Sequence, residues 1–416
     1  MRTLQEQNPD ENSGEMQPQI VKQTHTVHQP HHIIAMLSTF SRQMAALCQP
    51  HSSCSRPAIN RVLARGLAST AIKHQLPARL IDAHHYYFDP AHNPFNAFLG
   101  SARTPPSTPE QYKCDVIDTL WRNKGVKVEG SVHVEMTDDG PAEVEWIQGL
   151  IDSGRADDVR AIVAYADLSS PDAEEKIVQA KAKSDKVKGV RVILDHGGGA
   201  DALSTHLAFK PMRLPNRDHL KLDAYGDISP AFEKGIDLLS KYNLTFDALA
   251  APAQLPKLAK LFKWHTDVPF CIDHMGKPRP FLSTPGFEHA SGKPSRHELS
   301  LWRQGMQSIA DLPNSFVKLS MLGYAVPGWF GNPAKEQLLQ ELVLETVDRF
   351  GPERCMVGTN HHIDKGNSDS DGLENETEAP DVATLVDKMS QWFDGYLSQE
   401  EQDQIFYATA KRFYGI

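Results

Sequence analysis

From residue 80 onward, apolar and polar positions fall into two alternating rhythms. Short runs rich in Val, Ile and Leu cover residues 80–84, 130–136, 159–166, 189–194, 244–250, 268–273, 315–322 and 355–358, each bounded by turn residues. Unbroken apolar runs of this length are the pattern of strands covered on both faces, as in a parallel sheet. Longer stretches of helical character lie between them, at 109–123, 142–153, 171–184, 229–242, 252–265, 296–310 and 333–350. Several open on a proline or an Asp/Ser cap. Pro171, preceded by Ser170, is followed by Asp172, Glu174 and Glu175 in the first turn, where the helix dipole favours acids. Two more helices, at 382–396 and 398–413, close the chain.

Alternation of this kind over roughly 335 residues predicts an α/β fold, a (β/α)8 TIM barrel with insertions. A doubly wound sheet is the alternative, but no Gly-x-Gly-x-x-Gly follows the first strand, so a dinucleotide fold has no support. The connections at 195–227, 276–297 and 359–379 are long, and they follow the fourth, sixth and eighth strands. In a barrel they crowd the C-terminal face, where active sites are built.

The chain before the barrel reads differently. Residues 1–35 are polar and predict a disordered tail. Its His25, His28, His31 and His32 can bind a metal loosely, but no apolar scaffold fixes them, and a solvated run is the better reading. Residues 36–79 contain no Asp or Glu, many serines, and Arg42, Arg56, Arg61, Arg65 and Arg79. That composition is either a plain linker or a mitochondrial presequence, the latter if translation starts at Met36. Without such a start, the cytoplasm is expected. The barrel is assigned to 80–416.

Composition narrows the partners. The 416 residues are 40% hydrophobic and 23% charged, which is ordinary for a globular protein. A net charge of -10 argues against the chain-wide basic face that nucleic acid requires. No apolar run reaches the roughly eighteen residues of a membrane span. Cys48, Cys54, Cys114, Cys271 and Cys355 include no C-x-x-C, so neither a disulfide framework nor a thiolate zinc site is expected. The expected partner is a small-molecule substrate; the oligomeric state is not legible. Asp369, Asp371, Glu374, Glu376 and Glu378 lack calcium-loop spacing and read as a solvated loop.

The strand ends carry the chemistry. Asp82, His84, His133, Glu135, Arg191, Asp247, Asp273, His274, Lys318, Asn360 and His361 are expected to converge on one mouth, since buried strands avoid such residues unless they are paired or functional. They lie in or beside the segments DAHHYYFDPAHNPF, VHVE, ADLSSPDA, GVRVIL, IDHMGKP and RCMVGTNHHIDK. The order and spacing of these segments resemble the amidohydrolase-related family, in the amidohydrolase 2 branch that includes sugar-lactone and pyrone-dicarboxylate lactonases. The resemblance covers residues 80–416. It implies a TIM barrel that hydrolyses a lactone, amide or related carbonyl substrate.

The resemblance also implies a zinc or manganese site, with His-x-His on the first strand, a histidine on the fifth, another on the sixth and an aspartate on the eighth. His84 and His274 match; Tyr86, Ala253 and Asn360 depart. His85 neighbours His84, and on a regular strand it points to the opposite face. Two imidazoles fall short of the three or more protein ligands that a divalent ion normally takes, so the set for a single Zn is incomplete and a metal-free mechanism is expected. Its catalytic candidates are His84 and His274, titrating near pH 6.5, together with Asn360 and with Asp364 as a replacement base. Arg191, Lys277, Lys318, Glu135, His133 and His361 are the substrate-binding candidates. Lys318 has a second reading, as a structural lysine paired with Glu135 or Asp247. The Pro/Gly-rich segment 277–297 is either a lid or a passive excursion. Two other functions stay open: a catalytically silent barrel that binds or scaffolds, and a decarboxylase of the same superfamily.

Overall fold

All eight apolar runs form strands: β1 (Arg79–His85), β2 (Lys127–Val134), β3 (Val159–Tyr165), β4 (Val187–Ile193), β5 (Thr245–Leu249), β6 (Phe270–Ile272), β7 (Ser315–Leu319) and β8 (Cys355–Val357). A computed structural model describes residues 74–89, 106–136, 139–194, 219–220, 228–278, 294–326, 328–360 and 380–416. The strands pair in parallel, each with its neighbour in sequence, as a TIM barrel requires. The tail, the presequence reading and most of the three long connections lie outside the described residues.

The helices follow the expected places. They are α1 (Pro109–Tyr112), α2 (Thr119–Lys124), α3 (Gly140–Asp152), α4 (Ala173–Lys183), α5 (Pro230–Lys241), α6 (Leu255–Phe262), α7 (Arg296–Ala310), α8 (Leu322–Ala325), α9 (Pro333–Phe350), α10 (Val382–Phe393), α11 (Gln399–Asp403) and α12 (Thr409–Tyr414). Several start where a side chain can satisfy a free amide. Asn332 accepts from Lys335 at 3.2 Å and Asp381 from Thr384 at 2.7 Å. The helix expected from Pro171 begins two residues later, because Ser170 and Asp172 bond each other in the turn before it.

Strand alternation divides the core. Leu80, Ile162, Val190, Phe246, Phe270 and Val317 face outward under the helices, where Phe262 stacks on Phe270 with ring centroids 4.0 Å apart. Ile81, Ala83, Val132, Val134, Ala161, Val163, Cys271 and Met356 face inward. Burying each large apolar side chain contributes about 1.5–3 kcal/mol, so the outer wall carries much of the stability. The C-terminal segment closes the N-terminal end of the barrel. Arg79, at the start of β1, donates to Asp403 at 2.9 Å and lies 3.7 Å over the Tyr407 ring. Phe413 packs on Phe316 at 4.8 Å, and the Tyr414 hydroxyl donates to Asp247 Oδ2 at 2.8 Å.

The seam between β8 and β1 depends on Asp82. Its carboxylate accepts from the Thr359 amide (2.8 Å), the Thr359 hydroxyl (2.6 Å), the Tyr112 hydroxyl (2.8 Å) and the His84 amide (3.2 Å). The Asn360 amide donates to the His84 carbonyl at 2.9 Å. Gly358 is required here, since a Cβ would fall 2.5 Å from His84 Cβ. Asp82 was expected in the mouth; it instead clasps the barrel shut. Replacing it by alanine strands buried donors at about 1–3 kcal/mol each. We therefore predict that Asp82→Ala lowers the unfolding free energy by about 3 kcal/mol in urea titrations. A loss below about 0.5 kcal/mol would mean that the seam closes without this side chain.

Candidate active site

A bulge in β1 decides which histidine enters the barrel. Asp82 pairs with Ser131 and His85 with His133, so β1 spends one more residue than β2 over this stretch. Ala83 and His84 both turn inward, and Tyr86 follows. His85 faces out, its Nε2 2.8 Å from Ser131 Oγ and its ring stacked on Tyr112 at 4.4 Å.

Lys318, fully buried on β7, lies at the centre of the inward-facing groups. Its ammonium donates to Asp247 Oδ2 and lies 3.2 Å from Asp273 Oδ1 and 3.1 Å from His84 Nδ1. With Nδ1 accepting from Lys318, His84 carries its proton on Nε2 and donates it to the Tyr86 oxygen at 2.6 Å. That oxygen also accepts from Arg191 at 3.1 Å. The Tyr86 hydroxyl proton is thus left to point at something else. Arg191 in turn bonds the Glu135 carboxylate through Nε and the Glu135 carbonyl at 2.8 Å, and lies 3.6 Å from Asp273 Oδ2.

The rim of the barrel is built on strained backbone. His274, Met275, Gly276 and Lys277, just past β6, have φ of +54°, +53°, +63° and +54°. Met321 after β7 and Asn360 after β8 are also left-handed, at +53° and +48°. Each non-glycine residue there costs about 1–2 kcal/mol, and such strain gathers at functional sites. Packing holds the β6 turn in place. Trp302 Nε1 donates to the Met275 carbonyl at 2.7 Å, and a Cβ at Gly276 would strike Met306 Sδ at 2.6 Å. The turn sets His274 Nδ1 2.8 Å from Ser320 Oγ and its ring 4.7 Å from that of His84. His274 Nε2 and both ends of the Asn360 amide are buried with no hydrogen-bond partner among the described residues.

Burial resets the titrations. It pushes His84 well below its usual range, with the Lys318 charge adding to the effect, and it pushes His274 down to about 3. Neither imidazole titrates near 6.5 as expected from sequence; both are neutral at physiological pH. Burial instead lifts Glu135 to about 8, against the opposing pull of Arg191, and Tyr86 to about 12. Burial also works against the Lys318 ammonium, but Asp247 and Asp273 outweigh it and keep the charge in place. Burial raises the Asp273 carboxyl, but Lys318 together with His84 and His274 outweighs it and holds that group well below its ordinary value.

The ligand atoms of His84, Asp273 and His274 lie within 4.8 Å of one another, one protein ligand more than the sequence suggested. The number suits a zinc centre, but the charges do not. Both His84 nitrogens are engaged, and the oxygens of Asp273 face Lys318 at 3.2 Å and Arg191 at 3.6 Å. A dication would sit among two buried cations that already compensate the available carboxylates. In this arrangement the residues do not fit a resident divalent ion.

Of the sequence candidates, His84, Glu135, Arg191, Lys318, His274 and Asn360 are placed at this site. His133 is not: Val132 and Val134 face inward, so His133 faces outward, 3.1 Å from Glu143 and accepting the Tyr87 amide at 3.2 Å. Lys277 is buried on the left-handed turn, its amide bonded to the His274 carbonyl at 2.9 Å. His361 and Asp364 lie outside the described residues. Lys318 pairs with Asp247, as its second reading expected, and with Asp273, which was read only as part of the converging set. Tyr86, read as a lost ligand, is a built member of the network. Gln254 next to Ala253 is structural, bridging the Ala251 amide and the Leu194 carbonyl at 2.8 Å each.

A nearly closed ring of eight parallel strands, with acid, base and cation side chains gathered inside and at its C-terminal rim, defines a TIM-barrel enzyme. The chain belongs to the amidohydrolase family, whose pattern matches residues 81–416, and at that level it is a hydrolase. It is 25% identical over 280 residues to the protein y4mH of Sinorhizobium fredii, covering 66% of this chain and 81% of the relative. It is 26% identical over 215 residues to an L-fucono-1,5-lactonase of Burkholderia ambifaria, covering 51% of this chain and 59% of that enzyme. Among solved structures, a zinc-bound amidohydrolase of Burkholderia multivorans matches with a TM-score of 0.58 at 20% identity, over 81% of this chain and 99% of that one. A probable 2-pyrone-4,6-dicarboxylic acid hydrolase of Acinetobacter baumannii matches with a TM-score of 0.51 at 15% identity, over 81% and 99%. The structural matches bear on the fold alone.

The depressed histidines set a pH dependence of stability. On unfolding below about pH 6.5, each takes up a proton that the folded state refuses, so stability is full above 6.5 and falls as pH drops toward 3. One such group contributes up to about 1.4 kcal/mol per pH unit. In urea titrations between pH 6 and 4, His274→Gln should flatten the slope by about that amount. An unchanged slope would show that His274 titrates normally.

Proposed function

We propose that the barrel hydrolyses a small lactone without a resident metal ion. The observation that carries this reading is the pair of buried polar groups at the rim with no hydrogen-bond partner among the described residues, His274 Nε2 and the Asn360 amide, in a barrel whose Tyr86 hydroxyl has a proton to give. A buried polar atom left unpaired costs about 1–3 kcal/mol, which a polar ligand recovers. The L-fucono-1,5-lactonase relative makes a cyclic ester the class to test first.

In this mechanism the ester carbonyl oxygen accepts from the Tyr86 hydroxyl and the Asn360 Nδ2–H, which strengthen as the oxygen gains charge. Glu135, deprotonated and held by Arg191, accepts a proton from the attacking water. The tetrahedral centre collapses by breaking the ring C–O bond, and Glu135 returns the proton to the departing alkoxide. His274 Nε2 orients the water or a ring hydroxyl. Tyr86, raised to about 12, serves as a hydrogen-bond donor and stays protonated at working pH.

A panel of aldonolactones tests this. We expect kcat/KM to rise with pH through an apparent pKa of about 8 and then level off, because Glu135 must lose its proton to act. Glu135→Gln should cost on the order of 10²–10⁴-fold and remove that dependence. Tyr86→Phe should cost on the order of 10²-fold, mostly in kcat. Exhaustive chelation should leave activity intact. Activity abolished by chelator and restored by zinc would overturn the metal-free reading, and binding of lactones without turnover would make the barrel a binding protein.

A further inference from the structure

We propose that the Lys318 ammonium holds the barrel's cation position, so that removing this side chain turns the cluster around it into a divalent-metal site. The inference concerns what Lys318 displaces, and it stands whether or not the barrel turns over lactones. Three lone-pair atoms, two on strands and one just past a third, surround one nitrogen: Asp247 Oδ2 from β5, Asp273 Oδ1 just past β6 at 3.2 Å, and His84 Nδ1 from β1 at 3.1 Å. All four residues are buried, with Lys318, Asp247, Asp273 and His84 each 0% exposed. The Tyr414 ring lies 5.6 Å from the ammonium, and its hydroxyl donates to the same Asp247 oxygen. The other Asp247 oxygen, Oδ1, has no hydrogen bond among the described residues.

Two carboxylates and an imidazole form the ligand set of a zinc ion with one coordination position left open. They surround a single positive charge at ammonium distances. Zinc needs about 2.0–2.2 Å, so the contacts at 3.1 and 3.2 Å must shorten by about 1 Å. Lys318→Ala opens that volume and leaves two carboxylates short of one charge. Lys318→Met removes the same charge but keeps the volume filled. A cation should therefore enter the alanine variant and not the methionine variant.

The test is zinc content after dialysis against zinc chloride and gel filtration, together with melting temperature. Lys318→Ala should retain about one equivalent of zinc, and wild type and Lys318→Met none. Zinc should raise the melting temperature of the alanine variant alone. Ethylammonium should raise it too and compete with zinc, since it restores the missing group. If Lys318→Ala does not fold unaided, recovery of soluble, melting-competent protein only when zinc or ethylammonium is present supports the proposal. A folded alanine variant that retains no more zinc than wild type overturns it. So does a wild type that itself retains an equivalent, or an alanine variant that neither cation recovers.

Discussion

The ammonium of Lys318, sealed between Asp247 and Asp273, is the constraint on which the inside of this barrel depends. Removing an ion from water costs several kcal/mol, and only close opposite charges offset that cost. Lys318 finds one carboxylate in hydrogen-bond contact and a second at 3.2 Å. Its consequences run outward through hydrogen bonds. The ammonium takes the lone pair of His84 Nδ1, which places the imidazole proton on Nε2. That proton engages the Tyr86 oxygen, Arg191 adds a second donor, and the phenol keeps its own proton to donate. Arg191 then fixes Glu135. One buried charge thus sets a tautomer, a hydroxyl orientation and the position of a carboxyl group.

The rim answers a different constraint. Four consecutive left-handed residues after β6 are a large local cost, and the fold meets it with packing: Trp302 on the Met275 carbonyl, and a glycine where Met306 and Leu255 leave no room for a Cβ. What the strain delivers is a His274 whose Nε2 has no hydrogen-bond partner among the described residues, and an Asn360 on similarly left-handed backbone. Groups held this way are placed before any ligand arrives, which is what hydrogen-bond stabilisation of a developing charge requires.

Much of the fold was legible because parallel barrel strands are buried on both faces and so appear as apolar runs, with capped helices between them. The polar residues at strand ends were legible for the same reason, as exceptions to that rule. Faces were harder. Inward alternation of Val132 and Val134 is present in the sequence and excludes His133 from the mouth. The bulge that turns both Ala83 and His84 inward is a property of pairing between two strands, so no single-strand periodicity shows it. Asp82 likewise reads as one more polar strand residue until β8 comes round to meet it. The titrations are not legible because reference values describe solvated groups: burial takes the histidines out of the physiological range and brings Glu135 into it. Asn360 and Tyr86 read as losses from a metal site, whereas in three dimensions Tyr86 belongs to the network around an internal cation and Asn360 holds a buried amide with no partner among the described residues.

We propose that Lys318 supplies the positive charge at the position where a metal ion would otherwise be needed. The most direct test is diffraction from wild-type crystals soaked in zinc, recorded on both sides of the zinc absorption edge. Lys318 should stay in contact with Asp247 and Asp273, with no anomalous peak among His84, Asp273 and His274. A full-occupancy zinc peak there, with the lysine swung away from both carboxylates, would contradict it.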